Sequence, residues 1–253
     1  MSHIVEQGTG RDLVLVHGVG LDHTMWDFVV DALAIEHRVI RYDLLGHGAT
    51  ADPPGPRHLD DFVAQLTDVL DRTGARAPAI IGLSIGAMIA LRFATQHPGR
   101  ASQLVIANGV YDPDEDHLAG YAQRLAAVEA ASMEVVVEPA MQRWFTDAWR
   151  AEHSDRVDAL ATMLRDTDHG AYVKAYRTFV GSHHLLTGTL GAIRQPTLVI
   201  TGELDVGSTP AMTTRMAELI DDASAVVLPG LHHVPPWEDA TAFLEPVQSF
   251  LEG

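Results

Sequence analysis

Ser84, Asp205 and His233 are of the three residue types that acyl transfer from an ester requires, and they occur in that order along the chain. A serine hydroxyl is a weak nucleophile until an imidazole takes its proton, and the imidazole needs a carboxylate to fix its tautomer and orientation. Ser84 is the centre of Gly82-Leu83-Ser84-Ile85-Gly86. The two glycines allow a tight strand-to-helix turn without a Cβ clash. The hydroxyl then projects at a helix N-terminus, where amides and the helix dipole favour negative charge. A serine in such a turn can equally be an ordinary helix cap, so its meaning comes from its two companions. Asp205 closes Gly202-Glu203-Leu204-Asp205 and His233 closes Pro229-Gly230-Leu231-His232-His233. The developing oxyanion also needs donors, which backbone amides usually supply. His17-Gly18-Val19-Gly20 offers the Val19 amide, and Ile85, the residue after the serine, offers the second. As a phosphate cradle the glycine loop fails, because it lacks dinucleotide and P-loop spacing.

The elements that must position these residues are legible as alternation. Short apolar runs at 13–16, 39–42, 79–82, 104–107, 197–201 and 225–228 predict buried parallel strands. Helical periodicity fills 60–72, 87–96, 210–220 and 236–251. Ser84, Asp205 and His233 therefore each follow a strand, at the carboxyl edge where open α/β sheets bind ligands. From 112 to 192 the alternation stops. Four apolar stripes succeed one another, among them Leu118, Tyr121, Leu125 and Val128, then Val137, Met141, Trp144 and Phe145, with no convincing strand. This predicts a helical cap over 112–192 inserted into an α/β core made of 1–111 and 193–253.

Composition narrows the partners. The 253 residues are 47% hydrophobic, enough for a core without staples, and contain no cysteine, which rules out disulfides, thiolate zinc and a cysteine nucleophile. Seventeen Lys plus Arg against 34 Asp plus Glu give a formal charge of −17. Nucleic acid and anionic membranes, which recruit basic clusters, are not expected partners. Met1 to Gly10 has no basic region leading into an apolar stretch, and no apolar run suffices to span a bilayer, so the cytoplasm is the expected compartment. Asp112, Asp114 and Asp116 imitate the start of a calcium loop, but His117 stands where glycine is required and Gln123 where a bidentate Glu belongs. His183-His184 lacks a spaced third ligand for zinc. No cofactor is called for.

Taken together, His17-Gly18-Val19-Gly20, Tyr42-Asp43-Leu44-Leu45-Gly46-His47-Gly48, the turn around Ser84, Gly202-Glu203-Leu204-Asp205, and His233 with Glu238 resemble the α/β-hydrolase superfamily. Met25-Trp26-Asp27, Arg143-Trp144-Phe145-Thr146 and Gly170-Ala171-Tyr172 look like its 3-oxoadipate enol-lactonase group. The resemblance implies a mostly parallel sheet flanked by helices, a cap after the sixth strand of that fold, and a serine hydrolase of a small carboxylated ester or enol-lactone in aromatic-compound breakdown. It also implies Ser84, Asp205 and His233 as catalytic residues and the Val19 and Ile85 amides as the oxyanion hole. Trp26 and Trp144 would wall the substrate, and Arg143 or Arg41 would meet its carboxylate. His232 stands where the group has glycine, so either imidazole could be the base; the spacing to Glu238 favours His233. The group has two strands before residue 13 for which this chain has little room, and an uncovered sheet edge would invite a homodimer. Hydrolysis of a carbon–carbon bond in a vinylogous diketone uses the same three residues. A non-catalytic binder would have no chemical need for all of them.

Overall fold

The computed structural model describes residues 1–253. Seven strands, β1 (Ile4–Gln7), β2 (Arg11–Val16), β3 (His37–Tyr42), β4 (Ala79–Leu83), β5 (Gln103–Ala107), β6 (Thr197–Gly202) and β7 (Ala223–Leu228), form one sheet in the order β1-β3-β2-β4-β5-β6-β7. All neighbours are parallel except β1, which runs antiparallel to β3 with Ile4 opposite Tyr42. The six expected strands are all present, each extended by at most two residues at either end. One strand, β1, precedes the run at 13–16, where the resemblance implies two. β1 escapes the pattern because Ile-Val-Glu-Gln is a half-exposed edge strand without an apolar run.

Strand periodicity divides the core in two. Val14, Val16, Ile40, Ile80, Leu104 and Ile106 face one side, under α2 (Leu59–Thr73) and α3 (Ile85–Gln96). Leu13, Leu15, Val39, Ile81, Val105 and Ile200 face the other, against α1 (Asp27–Leu33) and the carboxyl-terminal helix. Burial on both faces is what lets these strands be almost wholly apolar. α2 begins where the His58 amide donates to Asp61 Oδ2 at 2.7 Å and ends at Gly74, whose φ of 72° suits glycine.

Between β5 and β6 lie α4 (Glu115–Ala130), α5 (Glu134–Trp144), α6 (Asp147–Glu152), α7 (Ser154–Asp166) and α8 (His169–Gly181), with two short 3-10 turns and no strand. This helical run follows the fifth strand of the sheet, where the resemblance implies the sixth. The acidic stretch before α4 is a helix start: Asp114 accepts from the His117 amide at 2.9 Å. After β6 come α9 (Pro210–Leu219), β7, α10 (Pro235–Glu238) and α11 (Ala240–Glu252). The single helix expected over 236–251 is broken at Asp239, whose extended backbone and side-chain bond to the Ala242 amide at 3.0 Å start a new helix. No helix is long and apolar enough to cross a membrane.

Four histidines, His17, His37, His47 and His183, are buried in this scaffold, and in three of them the effect of burial is large. Burial pulls His17 down to about 4, His47 to about 3 and His183 to about 4. His183 sits between Tyr121 and Phe179 with neither ring nitrogen bonded. Each ring takes up a proton in the unfolded chain near pH 6.5 but resists it in the folded one, so stability falls as pH drops from about 6.5 toward about 4. The loss is up to about 1.4 kcal/mol per pH unit for each ring. Thermal unfolding should therefore show a falling Tm between pH 7 and pH 5, and His183→Phe should flatten that fall. An equal fall in the variant would contradict the assignment.

Candidate active site

β4 runs into α3 through Ser84, whose φ of 59° and ψ of −116° place a non-glycine residue in strained backbone. The Ser84 amide donates to the Ala107 carbonyl of β5 at 3.0 Å, which anchors the turn to the sheet. A Cβ at Gly82 would overlap the Gly86 carbonyl, and one at Gly86 would overlap the Val16 carbonyl at the end of β2. Both glycines are thus required by close backbone approach. The Ile85 amide, at the first position of α3, has no acceptor within the chain, and neither has the Val19 amide.

The loop carrying Val19 is held from both sides. His17 Nδ1 donates to the Gly18 carbonyl at 2.8 Å while its Nε2 accepts from the Leu44 amide at 2.8 Å, which keeps the ring neutral. From the other side Thr167 Oγ1 donates to the Gly20 carbonyl at 3.2 Å. A Cβ on Gly20, whose φ is 76°, would strike Leu164 of α7 and Tyr172 of α8.

Asp205 and His233 come from the loops after β6 and β7. These loops touch at Gly202, where a Cβ would overlap the Leu231 and His232 carbonyls. The contact brings His233 Nδ1 to 2.7 Å from Asp205 Oδ2. Asp205 Oδ1 accepts from the Gly207 and Ser208 amides at 2.8 and 3.0 Å, and Asn108 Nδ2 donates to Oδ2 at 2.7 Å. Burial would push this carboxyl up, but the nearby imidazole and these donors hold it below its ordinary range. The neighbouring imidazole is occupied elsewhere: His232 bonds Glu238 through its amide at 2.7 Å and its Nδ1 at 3.2 Å. Glu238 thus holds residue 232 and not residue 233.

Ser84, His233, Asp205, Gly18 and Val19 line one cavity of about 290 Å³, roofed by side chains of α4, α5 and α8. Trp144 lies over His233 with ring centroids 5.9 Å apart and planes 26° apart. Arg143 lines the same cavity, and so does Arg124, a residue that the sequence did not single out. Neither guanidinium pairs with a carboxylate; Arg124 Nε donates to the Tyr176 hydroxyl at 2.8 Å. Burial and the proximity of Arg124 lower the affinity of Arg143 for its proton. Two other candidates fall away. Trp26 is fully buried among Leu33, Val29 and other core residues and does not reach the cavity. Arg41 Nη1 is bonded to Asp27 Oδ1 at 2.5 Å, also outside the cavity.

His3, His23 and Asp43 bring ligating atoms within 4.8 Å of one another. Asp43 is already engaged, accepting from the His23 amide and Nδ1 at 2.9 and 2.7 Å and from the Ala49 amide at 2.8 Å. Burial opposes its charge, yet these donors hold the carboxyl at about 2, as befits a hydrogen-bond hub. For the turn itself, Gly86→Ala should cost about 1–3 kcal/mol in denaturant unfolding. Gly181→Ala, where a Cβ meets nothing within 4 Å, is the control. Matching midpoints for the two variants would contradict the close approach.

Known proteins resemble this chain over most of its length. The chain is 27% identical to the (E)-2-((N-methylformamido)methylene)succinate hydrolase of Acinetobacter baylyi over 252 residues, covering 99% of this chain and 94% of that protein. It is 28% identical to 3-oxoadipate enol-lactonase 1 of the same organism over 196 residues, 76% of this chain and 71% of that one. Among solved structures, the enol-lactonase from Burkholderia xenovorans LB400 superimposes with a TM-score of 0.93 at 25% identity, covering all of this chain and 96% of that chain. With the family model matched from residue 13 to residue 245, the chain belongs to the alpha/beta hydrolase family.

Proposed function

We propose that the protein is a serine hydrolase of a small ester or lactone bearing a carboxylate, similar in reaction to 3-oxoadipate enol-lactonase. The observation that carries this reading is the 2.7 Å bond from His233 Nδ1 to Asp205, in a cavity that also holds Ser84. With Nδ1 engaged, Nε2 is the nitrogen left to take the Ser84 proton. Ser84 Oγ adds to the substrate carbonyl, and the resulting oxyanion lies against the Val19 and Ile85 amides. Collapse breaks the bond to the leaving oxygen, to which the imidazolium returns its proton. In a lactone both parts stay on one molecule, joined to Ser84 as an ester. Water, deprotonated by His233, then adds to this acyl-enzyme, and Ser84 leaves with a proton.

Arg124 and Arg143 support the anionic substrate. Most other guanidiniums in this acidic chain are matched to acids, as Arg57 is to Asp52 and Arg92 to Asp60, while Arg11 and Arg156 bond backbone carbonyls outside the cavity. Two guanidiniums left without acids in a partly buried cavity fit a substrate that supplies the carboxylate itself. The names of the two Acinetobacter relatives, a substituted succinate hydrolase and a 3-oxoadipate enol-lactonase, point to the same class. α4 to α8 act in this reading as a cap that holds the acyl portion, with Trp144 as its wall.

The test is turnover of a muconate-derived enol-lactone beside p-nitrophenyl acetate and butyrate. The lactone should be far the better substrate, and Ser84→Ala should lower kcat by about 10⁵ to 10⁶. More than a few per cent of activity remaining in that variant would end the nucleophile assignment. Arg143→Gln should reduce kcat/KM for the lactone by roughly ten- to a hundredfold, the worth of a charged hydrogen bond. It should leave neutral p-nitrophenyl acetate within about threefold; equal losses on both substrates would remove the carboxylate clamp.

A further inference from the structure

Asn108, the residue after β5, is fully buried, and its φ of 47° puts it in the left-handed region. Its Nδ2 lies 2.7 Å from Asp205 Oδ2, 3.0 Å from the His232 carbonyl and 3.1 Å from Thr201 Oγ1. Thr201 Oγ1 donates its own proton to the Ser208 carbonyl at 2.8 Å, so it too accepts here. Three acceptors at one end of the side chain fix the amide orientation, because the opposite placement would set an oxygen against a carboxylate. The cost is visible at the other end: Asn108 Oδ1 is buried with no partner. A left-handed asparagine and an orphaned buried carbonyl are both unfavourable. Glycine would remove both penalties. Only what Nδ2 does gives the side chain a reason to be there.

Asp205 Oδ2 is also the oxygen that His233 Nδ1 meets, so Asn108 and His233 share it. We propose that Asn108 is a positioning residue for the Ser84–His233–Asp205 unit, tying Asp205 Oδ2 to the backbone just before His233 and tempering the carboxylate's hold on an imidazolium proton. The inference rests on the proposed role of that unit. Three elements meet at this amide: the end of β5, the loop after β6 and the loop after β7. A carboxylate with one donor fewer is more basic, which strengthens its grip on a protonated partner. Besides Asp205, the charged and titratable groups that share the cavity with His233 or its loop are Asp116, His117 and Arg124 on α4, Arg143 on α5, and the His232–Glu238 pair of its own loop and α10; none of these bonds to Asn108 through a side chain.

Asn108→Gly separates positioning from folding, because it relieves the backbone and deletes the orphaned oxygen. Its Tm should stay within a few degrees of the parent while kcat/KM falls roughly ten- to a hundredfold, the value of a hydrogen bond to a charged group. The acid limb of the kcat/KM profile should move up by roughly half a unit to one unit. Asn108→Asp carries the second arm. When protonated, the introduced carboxyl can donate the same bond; when ionised, it repels Asp205. Its profile should gain an alkaline limb that Asn108→Gly lacks. Wild-type kcat/KM with an unmoved acid limb in Asn108→Gly would overturn the proposal, and so would a loss that only tracks a lower Tm. Ser84→Ala, run beside them, tells the two failures apart: if it stays active, the unit itself is misassigned; if it is dead while Asn108→Gly matches the wild type, only Asn108 is.

Discussion

The sheet edge that carries Ser84 depends on a backbone contact in which no side chain takes part. Gly86, in the first turn of α3, lies so close to the Val16 and His17 carbonyls that a single methyl group has no room. This contact presses the helix start onto the end of β2, from which the loop bearing Val19 departs. Gly82 repeats the device one turn earlier against the Gly86 carbonyl, forcing the chain between them to turn at Ser84. Elbow and amide loop are therefore one rigid unit, and the strained φ of Ser84 is held in place by buried strands on either side. The same kind of contact recurs at Gly202, where β6 meets the loop carrying His233. In the proposed reaction, preorganisation of this sort puts donors and nucleophile in position before substrate arrives.

The balance of charge differs between the chain as a whole and the cavity, which is lined by Arg124 and Arg143 beside Asp116 and Asp205. A chain with a formal charge of −17 repels an anion at long range, although at physiological ionic strength that repulsion is screened beyond about 8 Å. Inside the cavity Arg124 and Arg143 are close and poorly screened, while Asp205 is already committed to an imidazole, an amide side chain and two backbone amides. An acid beside either guanidinium would have stabilised the free protein and cancelled the attraction. In the proposed reaction, leaving them unmatched places the compensating charge on the substrate.

Much of the edge was legible because its parts are punctuated. Ser84, Asp205 and His233 each follow an apolar run that glycine or a polar residue closes, and those runs are β4, β6 and β7. Side-chain destination was less legible. Trp26 and Trp144 look alike in sequence, yet one packs in the core with Met25 and Leu33 and the other faces His233. Arg124 carried a signal that went unused: His117, Gly120, Tyr121 and Arg124 recur at helical spacing and all line the cavity. The apolar stripe through Leu118, Tyr121 and Leu125 hid it, since Tyr121 belongs to both faces. Asn108 has no sequence signal at all, because its partners lie 93, 97 and 124 residues away.

Of the two adjacent histidines, it is His233 whose ring meets Asp205. Spacing to Glu238 favours His233, but Glu238 in fact binds the amide and ring of His232. What places His233 on Asp205 is the approach of two loops at Gly202, with the His232 carbonyl pinned by Asn108 and the His232 amide pinned by Glu238. Residue 232 is thus fastened at both its backbone groups, and its ring takes the second carboxylate. With residue 232 so fixed, the next side chain is directed to the cavity. Each imidazole has a carboxylate of its own, so Asp205 is never shared between two bases. The second histidine, which in the sequence is a rival to the first, acts in the fold as part of its mounting.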